Sequence, residues 1–229
     1  MISKTYITKY NDFFRNKVKI VNTIHPAEWL LRFILGKWVG YNIILNKNDK
    51  VLDYSCGYGR NLEIFRDIEV DLYATEISKS IIKIIRSIEI FKHRKVKLSV
   101  GINGNLKFNN NFFKLIYACN SCYYVNSLNE FKRSMKEFDR ILSDNGMFIF
   151  NVPTTQHAMI KKNKKNKNIA KISYDKLNIR NNESFYFAKS KKELRLLLSN
   201  FFKVVSIHKN KLELKDYVED YFICVCIKK

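Results

Sequence analysis

No stretch of this 229-residue sequence approaches the ~20 uninterrupted apolar residues that a membrane-spanning helix needs, so no span is expected. The first residues, Met1-Ile2-Ser3-Lys4-Thr5-Tyr6, lack the apolar core and the small residues of a signal peptide, and a cytoplasmic location is the expectation. Acidic residues are scarce: 21 Asp and Glu stand against 42 Lys and Arg, a net charge of +21. A field of that sign attracts nucleic acid, nucleotides, phosphorylated metabolites or acidic membrane surfaces, and says nothing about the fold. The abundance of Asn, Ile and Lys gives it a second origin, the codon bias of an AT-rich genome. The cysteines, at 56, 119, 122, 224 and 226, are odd in number and scattered among apparent strands, the pattern of reduced thiols and not of a disulfide framework. Cys119 and Cys122 have C-x-x-C spacing, but no second ligand pair accompanies them, so no metal site is expected.

With 46% hydrophobic residues and only two prolines, the chain has the apolar surface to fold as one domain. Residues 4–20 and 26–39 read as helices. In the second, Trp29, Leu30, Phe33, Ile34 and Trp38 recur at helical spacing behind Pro26. An alternation then begins: strands at 51–54, 70–75, 96–100, 113–119 and 147–152, with helices at 61–67, after Ser78 and over 127–142. The basic, low-complexity residues 161–176 have no core face and read as a surface loop. A helix over 189–200 and strands at 202–207 and 221–227 follow. Alternating strands and helices imply a doubly wound, mainly parallel sheet with helices on both faces, and ligands at the carboxyl ends of its strands.

The segment Val51-Leu52-Asp53-Tyr54-Ser55-Cys56-Gly57-Tyr58-Gly59-Arg60-Asn61-Leu62 carries the most chemistry. A buried strand ends in an acid, a turn of small residues follows, and a helix start then offers free N–H groups. A P-loop needs G-x-x-x-x-G-K-[ST], which is absent. A dinucleotide loop would use Gly57 and Gly59 but wants a small residue where Leu62 stands, and gives Asp53 no role. A loop for S-adenosylmethionine explains both the acid and the glycines.

The segment resembles motif I of the class I, Rossmann-like S-adenosylmethionine-dependent methyltransferases, with Ser55 in place of the first glycine. The resemblance is close over 48–152 and implies a seven-stranded sheet whose last strand is antiparallel, with an N-terminal helical extension. It divides the chain into a helical lid (1–45), a cofactor core (48–152), a basic substrate-side insert (153–188) and a C-terminal helix with strands (189–229). It implies that Asp53, Ser55, Cys56, Gly57, Gly59, Arg60 and Asn61 shape the cofactor pocket. Glu76, followed by Ile77, matches the acid that binds the ribose hydroxyls, and a carboxylate can accept two hydrogen bonds at once. The family's adenine-contacting Asp falls on Ile102, with Asn103 beside it as a substitute, and Lys114 replaces another acid. Asn120 lies in the loop that faces cofactor and acceptor in the family, and the Asn-Pro-Pro-Tyr motif of amino-group methylases is missing there. Tyr6, Tyr10 and Phe14 form an aromatic stripe on the first helix. Tyr10 and Arg32 are the lid's candidates for the cofactor, Arg32 through a bidentate grip on a carboxylate.

The candidates for base or acceptor ligand are His157, Tyr123 and His25. Methyl transfer from a sulfonium is an in-line displacement with an activated leaving group, so the protein mainly aligns the acceptor. The expected reaction is methylation, on oxygen, of a small anionic acceptor that is phosphorylated, nucleotide-linked or sugar-like, with surface-polysaccharide precursors as one example. Two alternatives stay open: an RNA methyltransferase, which the charge suits equally, and a non-catalytic anion-binding protein, which the departures at Ser55, Ile102 and Lys114 allow. Oligomeric state is not readable.

Overall fold

The computed structural model describes residues 4–18, 25–36, 43–88, 91, 95–101, 103–160, 168–173, 175 and 178–229. Ile102, Trp38 and all of the basic run at 161–167 lie outside the described residues. Helices α1 (Lys4–Val18) and α2 (Glu28–Leu35) precede the sheet. Then come β1 (Lys50–Asp53), a 3-10 helix (Arg60–Phe65), β2 (Asp71–Glu76), α3 (Lys79–Ile85), β3 (Lys97–Val100), β4 (Phe113–Ala118), α4 (Leu128–Ile141) and β5 (Leu142–Pro153). The chain closes with β6 (Ile169–Lys171), β7 (Ser184–Tyr186), α5 (Lys191–Leu198), β8 (Phe202–Leu214) and β9 (Tyr217–Lys228). No described helix is long and apolar enough to cross a membrane.

Seven strands form one sheet in the order β3-β2-β1-β4-β5-β9-β8. The first five are parallel, and β9 runs antiparallel to both β5 and β8. Strand order reverses between β1 and β4, which places the crevice for a ligand at their carboxyl ends. Successive side chains of each strand face opposite sides of the sheet. Leu52, Ile116, Phe148 and Phe150 therefore join one apolar layer with Phe131, Met135 and Phe138 of α4, while Val51, Leu115, Tyr117 and Ile149 join the other with Phe14, Leu30 and Ile81. Burial on both faces is why β1 and β4 read as continuous apolar runs. Ser78, Ser127 and Ser190 cap α3, α4 and α5 by accepting from the N–H three residues on.

Four details differ from the sequence expectation. The helix expected over 61–67 is a six-residue 3-10 helix entered from Gly59 in the left-handed region. The strand expected over 147–152 begins at Leu142, and Asp144-Asn145-Gly146 lie inside β5 as an irregularity opposite Phe113–Leu115. A Cβ on Gly146 would come within 2.7 Å of the Ser143 carbonyl oxygen, so only glycine fits there. The stretch 161–176, expected as loop throughout, contains β6, which pairs with β7 in a small second sheet. Three-residue strands are too short to show a period. The last two strands are 13 and 12 residues long, because the hairpin continues into solvent, where its Lys- and Glu-rich outer half has no apolar pattern to betray it.

Candidate active site

The carboxyl ends of β1, β2 and β4 open into a cavity of about 330 Å³, within the range of small-molecule sites. Its floor is the loop after β1. Ser55, Gly57 and Gly59 all take positive φ, at 56°, 60° and 79°. For the two glycines this costs nothing, whereas serine carries a Cβ against the carbonyl. The end of β2 holds the loop in this shape. Ser55 N–H donates to Thr75 Oγ1 (3.2 Å), Cys56 N–H to the Thr75 carbonyl (3.0 Å) and Gly57 N–H to Glu76 Oε1 (2.7 Å). Ile77 N–H donates to Glu76 Oε2 at 3.0 Å. Each carboxylate oxygen of Glu76 thus spends one lone pair on backbone and keeps another. Burial pushes the Glu76 carboxyl up to about 7, against the pull of these two N–H groups and of the nearby Arg180.

Asp53 ends β1 beneath the loop at 1% exposure and does not line the cavity. Burial raises it to about 8; the Tyr117 hydroxyl and Arg60 favour its charged form, and Glu76 opposes it. Tyr117 does so without reaching hydrogen-bond geometry, since Asp53 Oδ2 and Tyr117 Oη have no hydrogen-bond partner. Ser55, Cys56, Gly57, Arg60, Asn61, Glu76, Ile77, Asn103, Asn120 and Tyr10 all line the cavity, and Gly59 is buried behind it. Several also brace the walls. Asn61 Oδ1 accepts the Ala27 N–H at the start of α2 (3.0 Å). Asn103 accepts from the Tyr54 hydroxyl and donates to the Tyr124 carbonyl (2.7 Å). Asn120, at φ 54°, receives support from Asn151.

The remaining sequence candidates are not brought together. Arg32 lies on the exposed face of α2, paired with Glu28 one turn earlier, because helical spacing satisfies it locally. His25 is exposed ahead of the same helix and outside the cavity. His157 is 2% exposed beneath the last hairpin, against Tyr217 and Tyr221, where its Nδ1 accepts the Met159 N–H. Burial lowers it to about 4 despite the nearby Asp220. Tyr123 is fully buried among Tyr124, Phe185 and Tyr221, and its neighbour Tyr124 faces the cavity instead.

The cavity's upper wall is built by the aromatic stripe of α1 together with a later segment that the sequence motifs do not mark. Tyr6, Tyr10, Phe13 and Phe14 of α1 cover the glycine loop, with Phe14 Cζ 3.7 Å from the position of a Cβ on Gly57. Ile179, Arg180 and Glu183 enter from the segment before β7, and Ser184 from its first position. The Arg180 guanidinium sits over the rings of Tyr124 (5.0 Å) and Tyr10 (5.7 Å).

A family model described as a methyltransferase domain matches residues 27–202. No curated protein matches the sequence. Among solved structures, an S-adenosylmethionine-dependent methyltransferase from Methanosarcina mazei is 16% identical, covers 90% of this chain and 99% of its own, and superposes with a TM-score of 0.66. One from Clostridium acetobutylicum is 17% identical, covers 96% and 99%, and has the same TM-score. A Haloferax volcanii methyltransferase, solved with the activator Trm112, is 13% identical over 99% and 98%, at 0.64. The glycine loop, the acid closing β2, the strand order and the family match agree: the chain belongs to the methyltransferase family and is a class I, S-adenosylmethionine-dependent methyltransferase.

Proposed function

We propose that the protein transfers a methyl group to an oxygen of a small anionic acceptor held in the same cavity as the cofactor. The observation that carries this reading is the Arg180 guanidinium, which lines the cavity without an ion pair among the described residues and whose Nε has no hydrogen-bond partner. The residues present suit the cofactor. Glu76 keeps lone pairs for two ribose hydroxyls, and the turn at Gly57 brings backbone to the cavity without a side chain in the way. Arg60 stands at the methionine end, beside Asp53 and Cys119. Ile77 and Asn103 line the adenine side, and Tyr10 covers the opening.

S-adenosylmethionine supplies a methyl group on a sulfonium, whose C–S electron pair returns to sulfur as the acceptor oxygen forms its bond to carbon. The protein's own share is alignment and the exclusion of water by the aromatic face of α1. No histidine lines the cavity among the described residues, and an acceptor oxygen that is already anionic needs no base. The product is then a methyl ester. The cysteines, all free, fit a reducing compartment such as the cytoplasm.

Incubation with methyl-labelled cofactor and a panel of small acids, neutral isosteres and RNA tests the reading. Label in a small acid, released by mild base, is the expected result. Label in RNA and in no small acid would overturn it.

A further inference from the structure

Arg180 is held in place by a turn that does little else. Asp175 Oδ2 accepts from both Ile179 N–H (3.0 Å) and Arg180 N–H (2.9 Å). The Asp175 carbonyl accepts from Asn178 N–H (2.8 Å), and its own N–H donates to Asn181 Oδ1 (2.8 Å). Asn178 and Asn182 take left-handed backbone, which asparagine tolerates better than most residues, and Ile179 pins the turn into the apolar layer shared with Tyr10 and Phe14. The side chain so presented forms no ion pair among the described residues, and its Nε is buried with no hydrogen-bond partner. A guanidinium donates in its own plane, so aromatic rings over its face do not use its N–H groups; the Tyr6 hydroxyl competes for one of them, and the Nε–H has no partner.

The cavity lining holds two cations among the described residues, Arg60 by the glycine loop and Arg180 across from it. The cofactor brings one carboxylate, on its methionine end. Arg60 stands at that end, which leaves Arg180, near Glu76, as the second cation that a ligand's anion can meet. No lysine lines that wall among the described residues, while Glu130 and Glu183 do. A second negative charge on the ligand, as in a phosphate dianion, would add repulsion from those carboxylates without gaining a second cation. A carboxylate monoanion is matched by a single planar guanidinium, which can grip both its oxygens.

We propose that Arg180 sets the acceptor class, selecting a carboxylic acid over phosphate esters and neutral analogues. This rests on the reading of the acceptor as a small anion. The test is calorimetry on protein saturated with S-adenosylhomocysteine, using benzoate against benzamide and phenyl phosphate against phenol. Benzoate is expected to bind at least about tenfold more tightly than benzamide and than phenyl phosphate, the size of one charge-assisted hydrogen bond. Arg180→Gln should abolish the benzoate advantage, and Arg180→Lys should keep only part of it, with binding of S-adenosylhomocysteine retained in both. A benzoate advantage that survives Arg180→Gln would overturn the assignment, as would tighter binding of phenyl phosphate. So would loss of S-adenosylhomocysteine binding in both variants, which would give the guanidinium to the cofactor. Failure of all four probes on wild-type protein that methylates RNA would remove the small-acceptor reading itself, and this inference with it.

Discussion

The two walls of the cavity are built in different ways. The lower wall is backbone: a short loop between β1 and the 3-10 helix, stitched to the neighbouring end of β2 by Thr75 and Glu76. The upper wall is side chain, and its parts are remote in sequence: α1, Tyr124 after β4, and the turn at 175–183. A wall made of one loop can be fixed by local residue chemistry. A wall assembled from three distant segments exists only once the sheet has formed, and it can change without disturbing the first. That difference suits the proposed pairing of cofactor below and acceptor above.

Breaking the lower wall should have the largest effect. Glu76→Ala removes the acceptors for Gly57 and Ile77 N–H together with the proposed ribose partner. At about 1.5 kcal/mol for each hydrogen bond to a charged group, it should weaken S-adenosylhomocysteine binding roughly 100-fold by calorimetry. Asp175→Ala should disturb only the upper wall. It unties the turn that presents Arg180, and roughly tenfold weaker benzoate binding with near-normal S-adenosylhomocysteine affinity is the expected pair of results.

The lower wall also leaves a pH signature. Asp53 and Glu76 hold protons in the fold to about 8 and about 7, whereas in the unfolded chain they lose them near their ordinary 3.8 and 4.5. Protons bound by the native state and not by the unfolded one stabilise it at low pH, so this stability is lost as pH rises through those folded values. His157, lowered to about 4, has the opposite sign: it costs stability as pH falls below 6.5 and has no effect above it. Between pH 6.5 and 8 the free energy of unfolding should therefore fall, by roughly 2 kcal/mol, in urea titrations of the ligand-free protein. Asp53→Asn should flatten that slope, and an unchanged slope would show that the buried carboxylate is already ionised. The smallest effect is Ser55→Gly. It relieves a left-handed serine and should raise the unfolding free energy by about 1 kcal/mol, and the thermal midpoint with it.

The same contrast explains what the sequence makes legible. The glycine loop, Glu76 and the parallel core are visible because each rests on neighbouring residues and on strands long enough to show a pattern. Arg180 is hidden because it is one cation among 42 Lys and Arg, in a segment that reads as basic loop. The local signal was there in the Asp, Asn and Asn at 175, 178 and 181, a turn chemistry with one arginine among lysines. His157 and Arg32 mislead for opposite reasons. The first follows β5 at the correct edge but folds beneath a hairpin whose length no hydropathy pattern discloses. The second is satisfied by a partner four residues away on its own helix.

The separability of the two walls is the central claim, and one paired titration tests it. S-adenosylhomocysteine is titrated by calorimetry into wild-type protein, Glu76→Ala and Arg180→Gln, all folded as judged by circular dichroism. The account predicts a loss of roughly 100-fold for Glu76→Ala and near-normal binding for Arg180→Gln. Equal losses in both variants would contradict it, because the two walls would then serve one ligand.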